Sequence, residues 1–303
     1  MLRVGTRGSK LALTQTGNVI DALRALDPAL TIETVVVATD DEGGVADKSR
    51  FVNAIEQALR SQDVDLAIHS AKDVPGDESP GLLIVAVPER ADPRDAICGA
   101  ESLSDLAEGA KVGTSSLRRS AQLRSLRPDL RIEPLRGNVD TRLQRLENGD
   151  YDALVLAAAG LDRLQIDGVV RGYLDECVPA PGQGSLALQA RDIDLTTTGI
   201  VGPLSDFASF RELTAERAAA AGLVASCSTP LGIHAKVKPG AADGGKDMIT
   251  VRGWLGLPDG TQFIEDEISG LAGEGRLLGH LLAQRMRASG GDEILARAEE
   301  MAA

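Results

Sequence analysis

The stretch Lys111-Val112-Gly113-Thr114-Ser115-Ser116-Leu117-Arg118-Arg119, followed by Ile132-Glu133-Pro134-Leu135-Arg136-Gly137-Asn138 and then Ala153-Leu154-Val155-Leu156-Ala157, decides the fold. Three short apolar runs, Lys111–Gly113, Ile132–Pro134 and Ala153–Ala157, predict strands. Between them, Ser116–Leu126 and Asp140–Asn148 repeat apolar residues at helical spacing. Ser115 or Ser116, and again Asn138, stand where the helices begin, and these residue types cap free backbone N–H groups. Strand–helix alternation predicts an α/β sheet with largely parallel strands, whose ligands sit in loops at the strands' carboxyl ends.

The same alternation extends toward the N-terminus. Strands are expected at Leu2–Thr6, Thr34–Ala38, Asp65–His69 and Leu82–Val87, with helices at Lys10–Ala25 and Arg50–Ser61. A short helix is expected from Arg163 to Ile166 and beyond. Two proline-bearing segments, Pro88-Glu89-Arg90-Ala91-Asp92-Pro93 and Pro179-Ala180-Pro181-Gly182-Gln183-Gly184, read as crossings between domains. The apolar strand after the second crossing, Ser185–Ala190, can return to the first domain. The last hundred residues differ in texture. A helix at Asp206–Gly222, strands at Ile233–Val237, Ile249–Leu255 and Gln262–Ile268, and a helix from Gly275 to Ala288 predict a small α+β domain. Asp243-Gly244-Gly245-Lys246 and Pro258-Asp259-Gly260 read as its hairpin turns. The expected units are 1–88 with 185–203, 89–184 and 204–303.

Charge is concentrated where the ligand loops are. Between Lys111 and Arg145 there are eight Arg and one Lys against Asp129, Glu133 and Asp140, in a chain of 303 residues with formal net charge −13. A basic segment in an acidic protein is a specific place for anions and argues against a general nucleic-acid role, as does the lack of aromatics among Arg118–Arg145. Arg is preferred where carboxylates are gripped by two prongs. Arg142 and Arg145, three apart, share a helix face. Capping residues followed by solvated arginines are the plain alternative for each loop.

Composition narrows the function further. Hydrophobic content of 43% fits a globular chain, and 2% aromatic residues leave its cores to Leu, Val, Ile and Ala. No apolar run reaches the roughly 18 residues of a membrane span. Met1–Gly5 reads as a strand and not as a signal peptide, so a cytoplasmic enzyme without membrane attachment is expected. Cys98, Cys177 and Cys227, and likewise His69, His234 and His280, lack metal-ligand spacing, so no metal is expected.

Three further loops carry candidate chemistry. His69-Ser70-Ala71-Lys72-Asp73-Val74-Pro75 follows a strand and is stopped by its proline; Asp73 is either a turn former or a carboxylate that stabilises positive charge on a nitrogen heterocycle. Gly5-Thr6-Arg7-Gly8-Ser9-Lys10 ends the first strand, with Ser9 as a cap and Arg7 directed to the same cleft. Cys227, in Ala225-Ser226-Cys227-Ser228-Thr229-Pro230, is either a buried small hydrophobe or a nucleophile open to covalent attachment.

Thr6–Ser9, His69–Pro75, Asp92-Pro93-Arg94-Asp95, Gly113–Arg119, Leu135–Arg142, Ala159-Gly160-Leu161-Asp162-Arg163-Leu164 and Pro181–Gly184 occur in an order that resembles the hydroxymethylbilane synthases (porphobilinogen deaminases). The resemblance runs to about Gly232. It implies two lobes similar to periplasmic binding proteins, a smaller third domain and a monomer. It implies deamination and head-to-tail condensation of four porphobilinogen molecules into a linear tetrapyrrole, for heme and porphyrin synthesis. It further implies a dipyrromethane cofactor held covalently through Cys227. By the same resemblance, Asp73 is the catalytic carboxylate, contacting pyrrole N–H groups and stabilising the azafulvenium formed as ammonia leaves. Lys72, Thr114, Ser115, Ser116, Arg118 and Arg119 join Asp73 around the cofactor, and Arg7, Ser9, Lys48, Arg136, Arg142, Arg163 and Gln183 meet substrate and growing chain. The loop Thr39–Gly44 is shorter than the family's, and Gln189 stands where many relatives carry Glu.

Overall fold

The computed structural model describes residues 1–38, 48–77, 79–224, 229–240 and 245–302, without the side chains of residues 48–51 and 302. The first sheet is built from β1 (Leu2–Thr6), β2 (Ile32–Val36), β3 (Leu66–Ser70), β4 (Leu82–Ala86) and β10 (Leu186–Arg191), in the order β2-β1-β3-β10-β4. β1 pairs in parallel with β2 and β3, whereas β10 runs antiparallel to β3 and β4. The chain thus leaves this sheet after β4 and returns to its middle about a hundred residues later. Helix α1 (Lys10–Leu26) starts where the Ser9 hydroxyl accepts from Ala12 N–H, and it buries Gln15, Val19 and Leu23 along one stripe. Helix α2 (Lys48–Arg60) covers the sheet with Ile55 and Leu59, both essentially inaccessible.

The second sheet has the order β7-β6-β8-β5-β9 and uses β5 (Asp95–Cys98), β6 (Lys111–Gly113), β7 (Arg131–Glu133), β8 (Ala153–Ala157) and β9 (Val170–Tyr173). β6 is parallel to β7 and β8, and β5 is antiparallel to β8 and β9. Both sheets are therefore mixed, each with a parallel portion as expected. Helices α3 (Leu117–Leu126) and α4 (Val139–Glu147) begin at Ser116 and Asn138, whose side chains accept from the N–H groups of Arg119 and Thr141. Helix α5 (Ala158–Arg163) follows β8 directly, so the helix expected from Arg163 onward lies earlier; Gln165, left-handed at φ 54°, ends the turn.

The C-terminal unit stacks α7 (Phe207–Leu223) and α8 (Gly275–Met286) on an antiparallel sheet of β11 (Leu231–Lys238), β12 (Met248–Gly256) and β13 (Phe263–Leu271). Its core holds Ala215, Ala219, Ile249, Val251, Leu282 and Met286. A short α6 (Leu195–Val201) precedes it, and α9 (Asp292–Ala302) closes the chain. The chain is thus two α/β lobes plus a small α+β domain. No helix among the described residues is long and apolar enough to cross a membrane.

Candidate active site

The two lobes face each other across a cleft that is open to solvent. Arg7 and Ser9 enter it from the end of β1, Lys72 and Asp73 from the end of β3, and Arg163 from α5. Ser70 leads into a single tight helical turn, Ala71–Asp73, which stops before Pro75. Lys72 and Asp73 remain half-buried there. The Arg163 guanidinium donates to the Gly184 carbonyl oxygen at 2.6 Å. Burial pushes it down to about 10, so it is still charged at neutral pH and is held by a carbonyl instead of a carboxylate.

His69 also lines the cleft, and its protonation is fixed from behind. Gln189 donates through its amide nitrogen to Glu56 Oε1 at 2.9 Å, and the Ser79 hydroxyl donates to the same oxygen at 2.6 Å. A carboxylate only accepts, so the Gln189 amide oxygen must face His69 Nε2, 3.0 Å away. His69 therefore carries its hydrogen on Nε2 and accepts through Nδ1. Burial pushes its imidazole below the ordinary value, against the pull of Glu56 and Asp73.

Within the second lobe, apart from the residues that line the cleft, lies a buried ionic cluster. Arg118 donates through Nη1 to Asp95 Oδ2 at 2.7 Å and to Val178 O at 2.8 Å. Arg119 donates through Nε to Asp95 Oδ1 at 2.9 Å and through Nη1 to Val155 O at 3.2 Å. Burial works to raise the Asp95 carboxyl, but the two guanidiniums overcome it and hold that group far below the carboxylate range. Arg142, half-buried and hydrogen-bonded through Nε to Gly137 O, is pushed down by burial and by the nearby charge of Arg119.

This cluster suits a ligand that carries carboxylates. Arg118 Nε is buried without a partner among the described residues. Thr114 Oγ1 and Ser116 Oγ accept backbone N–H groups and so keep their own protons to donate. Ser115 donates to Leu135 O at 2.6 Å and shapes the turn.

Other candidates fall elsewhere. Gln183, expected among the substrate ligands, is almost wholly buried: its amide nitrogen donates to Pro93 O and Asp95 Oδ1, and its oxygen accepts from Arg119. The reason is that the second crossing folds back on the first, so this amide braces the crossings. Arg136 is exposed and outside the residues that line the cleft. The Lys48 side chain, Cys227 and the loop 39–47 lie outside the described residues. The sequence alone does not single out Asp95 or His69, although each adjoins a strand end. Their signal was an acid and a histidine at opposite ends of short apolar strands, each adjoining a run of cations or a turn.

The fold and the cleft, lined by Arg7, Lys72, Asp73 and Arg163, define a bilobal α/β protein with a charged site between its lobes. The two lobes are similar to an ABC transporter periplasmic substrate-binding protein from Coxiella burnetii, with 14% identity over 67% of this chain and 92% of that one, at a TM-score of 0.41. Residues 2–198 match the family model described as porphobilinogen deaminase, dipyromethane cofactor binding domain, and residues 210–288 match porphobilinogen deaminase, C-terminal domain. Proteins named porphobilinogen deaminase from Thermus thermophilus and Deinococcus radiodurans are 45% and 40% identical, covering 97% and 98% of this chain and 98% of each relative. The chain belongs to the porphobilinogen deaminase family and carries its dipyrromethane-binding domain.

Proposed function

We propose that this enzyme deaminates porphobilinogen and condenses four molecules head-to-tail into linear hydroxymethylbilane, on a dipyrromethane primer joined to Cys227. The observation that carries the reading is one carboxylate, Asp73, set in a cleft whose other charged contributors include Arg7, Lys72 and Arg163. Each porphobilinogen brings two carboxylates, so cations hold the substrate while Asp73 offers negative charge to the pyrrole nitrogen as ammonia departs. The dipyrromethane, when bound, supplies the nucleophilic pyrrole carbon that begins the chain. Thr114, Ser116, Arg118 and Arg119 would hold its carboxylates, and Arg142 those of the extending chain.

The cysteines support Cys227 as the anchor. Burial pushes the Cys98 thiol up to about 11 and the Cys177 thiol up to about 12, which makes both poor nucleophiles. Cys227 is the third cysteine of the sequence. Three units, 1–88 with 185–203, 89–184 and 204–303, would act as a cytoplasmic monomer in tetrapyrrole synthesis. Intact mass before and after porphobilinogen tests the reading. A resident dipyrrole that gains further pyrrole units stepwise is expected; an unmodified mass that never changes would overturn it.

A further inference from the structure

The turn that bears Asp73 is braced from two directions by elements outside its own sheet. Helix α7 lays one stripe along it: Phe210 and Leu213 pack with Ala71 and Val74, and Arg217 donates to the carbonyl oxygens of Val74 at 3.5 Å and Asp77 at 3.2 Å. One turn further on, a Cβ at Gly76 would stand 3.1 Å from Ala221 N, so the loop lies directly on the helix backbone. From the other side comes the second crossing. Gly182, at φ +74°, presses on the turn so closely that a Cβ there would stand 2.8 Å from Ala71 C and 2.9 Å from Lys72 N.

The two braces are themselves joined. Gly182 N–H donates to Glu216 Oε2 at 2.6 Å, and Glu216, fully buried on α7, also receives Arg90 of the first crossing at 2.7 Å. Adjacent residues of one helix, Glu216 and Arg217, thus hold the crossings and the Asp73 turn respectively.

We propose that α7 and the second crossing form a clamp that sets the position of Asp73, with Arg217 and Gly182 as positioning residues. The clamp rests on the reading of Asp73 as the reacting carboxylate. Its consequence is that the acid moves with the crossings and the C-terminal unit when the lobes shift, and not with the first sheet alone. A carboxylate displaced by about 1 Å loses up to a hundredfold in rate, so the effect falls on turnover rather than on binding.

The experiment uses the cofactor-loaded full chain. Arg217→Gln is expected to lower kcat about tenfold while leaving KM for porphobilinogen, the dipyrrole detected by intact mass and the melting temperature close to wild type. Arg217→Lys, which still donates to carbonyls, is expected to recover most of that loss. Gly182→Ala is expected to lower kcat further; should it fail to fold, the Arg217 pair alone decides. Wild-type kcat in Arg217→Gln, a rise in KM alone, or loss of the dipyrrole would overturn the clamp. Asp73→Asn in parallel separates the two levels: undiminished turnover there removes the reading on which the clamp rests, whereas collapse there with an unaffected Arg217→Gln removes only the clamp.

Discussion

Asp95 and Arg118 meet at 2.7 Å inside the second lobe, with side-chain exposures of 0% and 5%. Arg119 shares the same carboxylate, so one acid neutralises two buried cations. Removing the acid strands both. Asp95→Asn is therefore expected to cost about 3–5 kcal/mol of folding stability, measured by urea unfolding at neutral pH. The pH dependence has a definite sign. A carboxyl held below its unfolded value contributes fully above roughly pH 4, and that contribution is lost only as pH falls toward the lower folded value. Asp95 should thus add no slope between about pH 5 and 8.

His69 should give a signature of the same sign at higher pH. Burial lowers its folded value, so the unfolded chain binds the proton more readily. Stability is fully in place above the ordinary imidazole value of about 6.5 and declines as pH falls below it. His69→Gln is expected to flatten that part of the stability profile, and nitrogen NMR of wild type should show hydrogen on Nε2 only. A neutral ring with its hydrogen on Nδ1 alone would refute the chain from Glu56 through Gln189.

Arg163 illustrates function held at a cost in stability. Its charge is mostly removed from water and is met by a carbonyl. Arg163→Met should stabilise the substrate-free protein by on the order of 1 kcal/mol. The same change should raise KM for porphobilinogen by about tenfold or more, because the carboxylate it meets loses its cation. Denaturation and steady-state kinetics on one preparation check both signs.

Much of this was legible in residue order. The lobes announce themselves through capped helices, since Ser9, Ser116 and Asn138 each cap the helix they precede. What escaped was decided by partners distant in sequence. β5 (Asp95–Cys98) is four residues headed by an acid just after a proline, which locally reads as loop; it becomes a strand because β8 and β9 flank it. α5 starts without a side-chain cap inside an alanine run that looks like more of β8. That Arg118 and Arg119 share Asp95 was not legible either, because the acid lies over twenty residues upstream. Gln183 likewise finds its partners, Pro93 O and Asp95, about ninety residues upstream.

The roles of Asp73 and Cys227 separate cleanly, because one concerns a rate and the other a bond. Asp73 sits on a turn whose backbone is fixed by Val74 N–H donating to Ala71 O and by its packing beneath α7. An amide of the same shape fits there, so Asp73→Asn should fold normally and retain its dipyrrole. Without the negative charge, positive charge developing on the pyrrole is no longer stabilised, and turnover should fall by at least about a hundredfold. Cys227→Ala removes only the sulfur through which a primer can be tethered. The purified variant should carry no pyrrole by intact mass and give no colour with an aldehyde pyrrole reagent. Colour that persists would mean that another side chain is the anchor, and a near-normal rate in Asp73→Asn would remove that carboxylate from the chemistry.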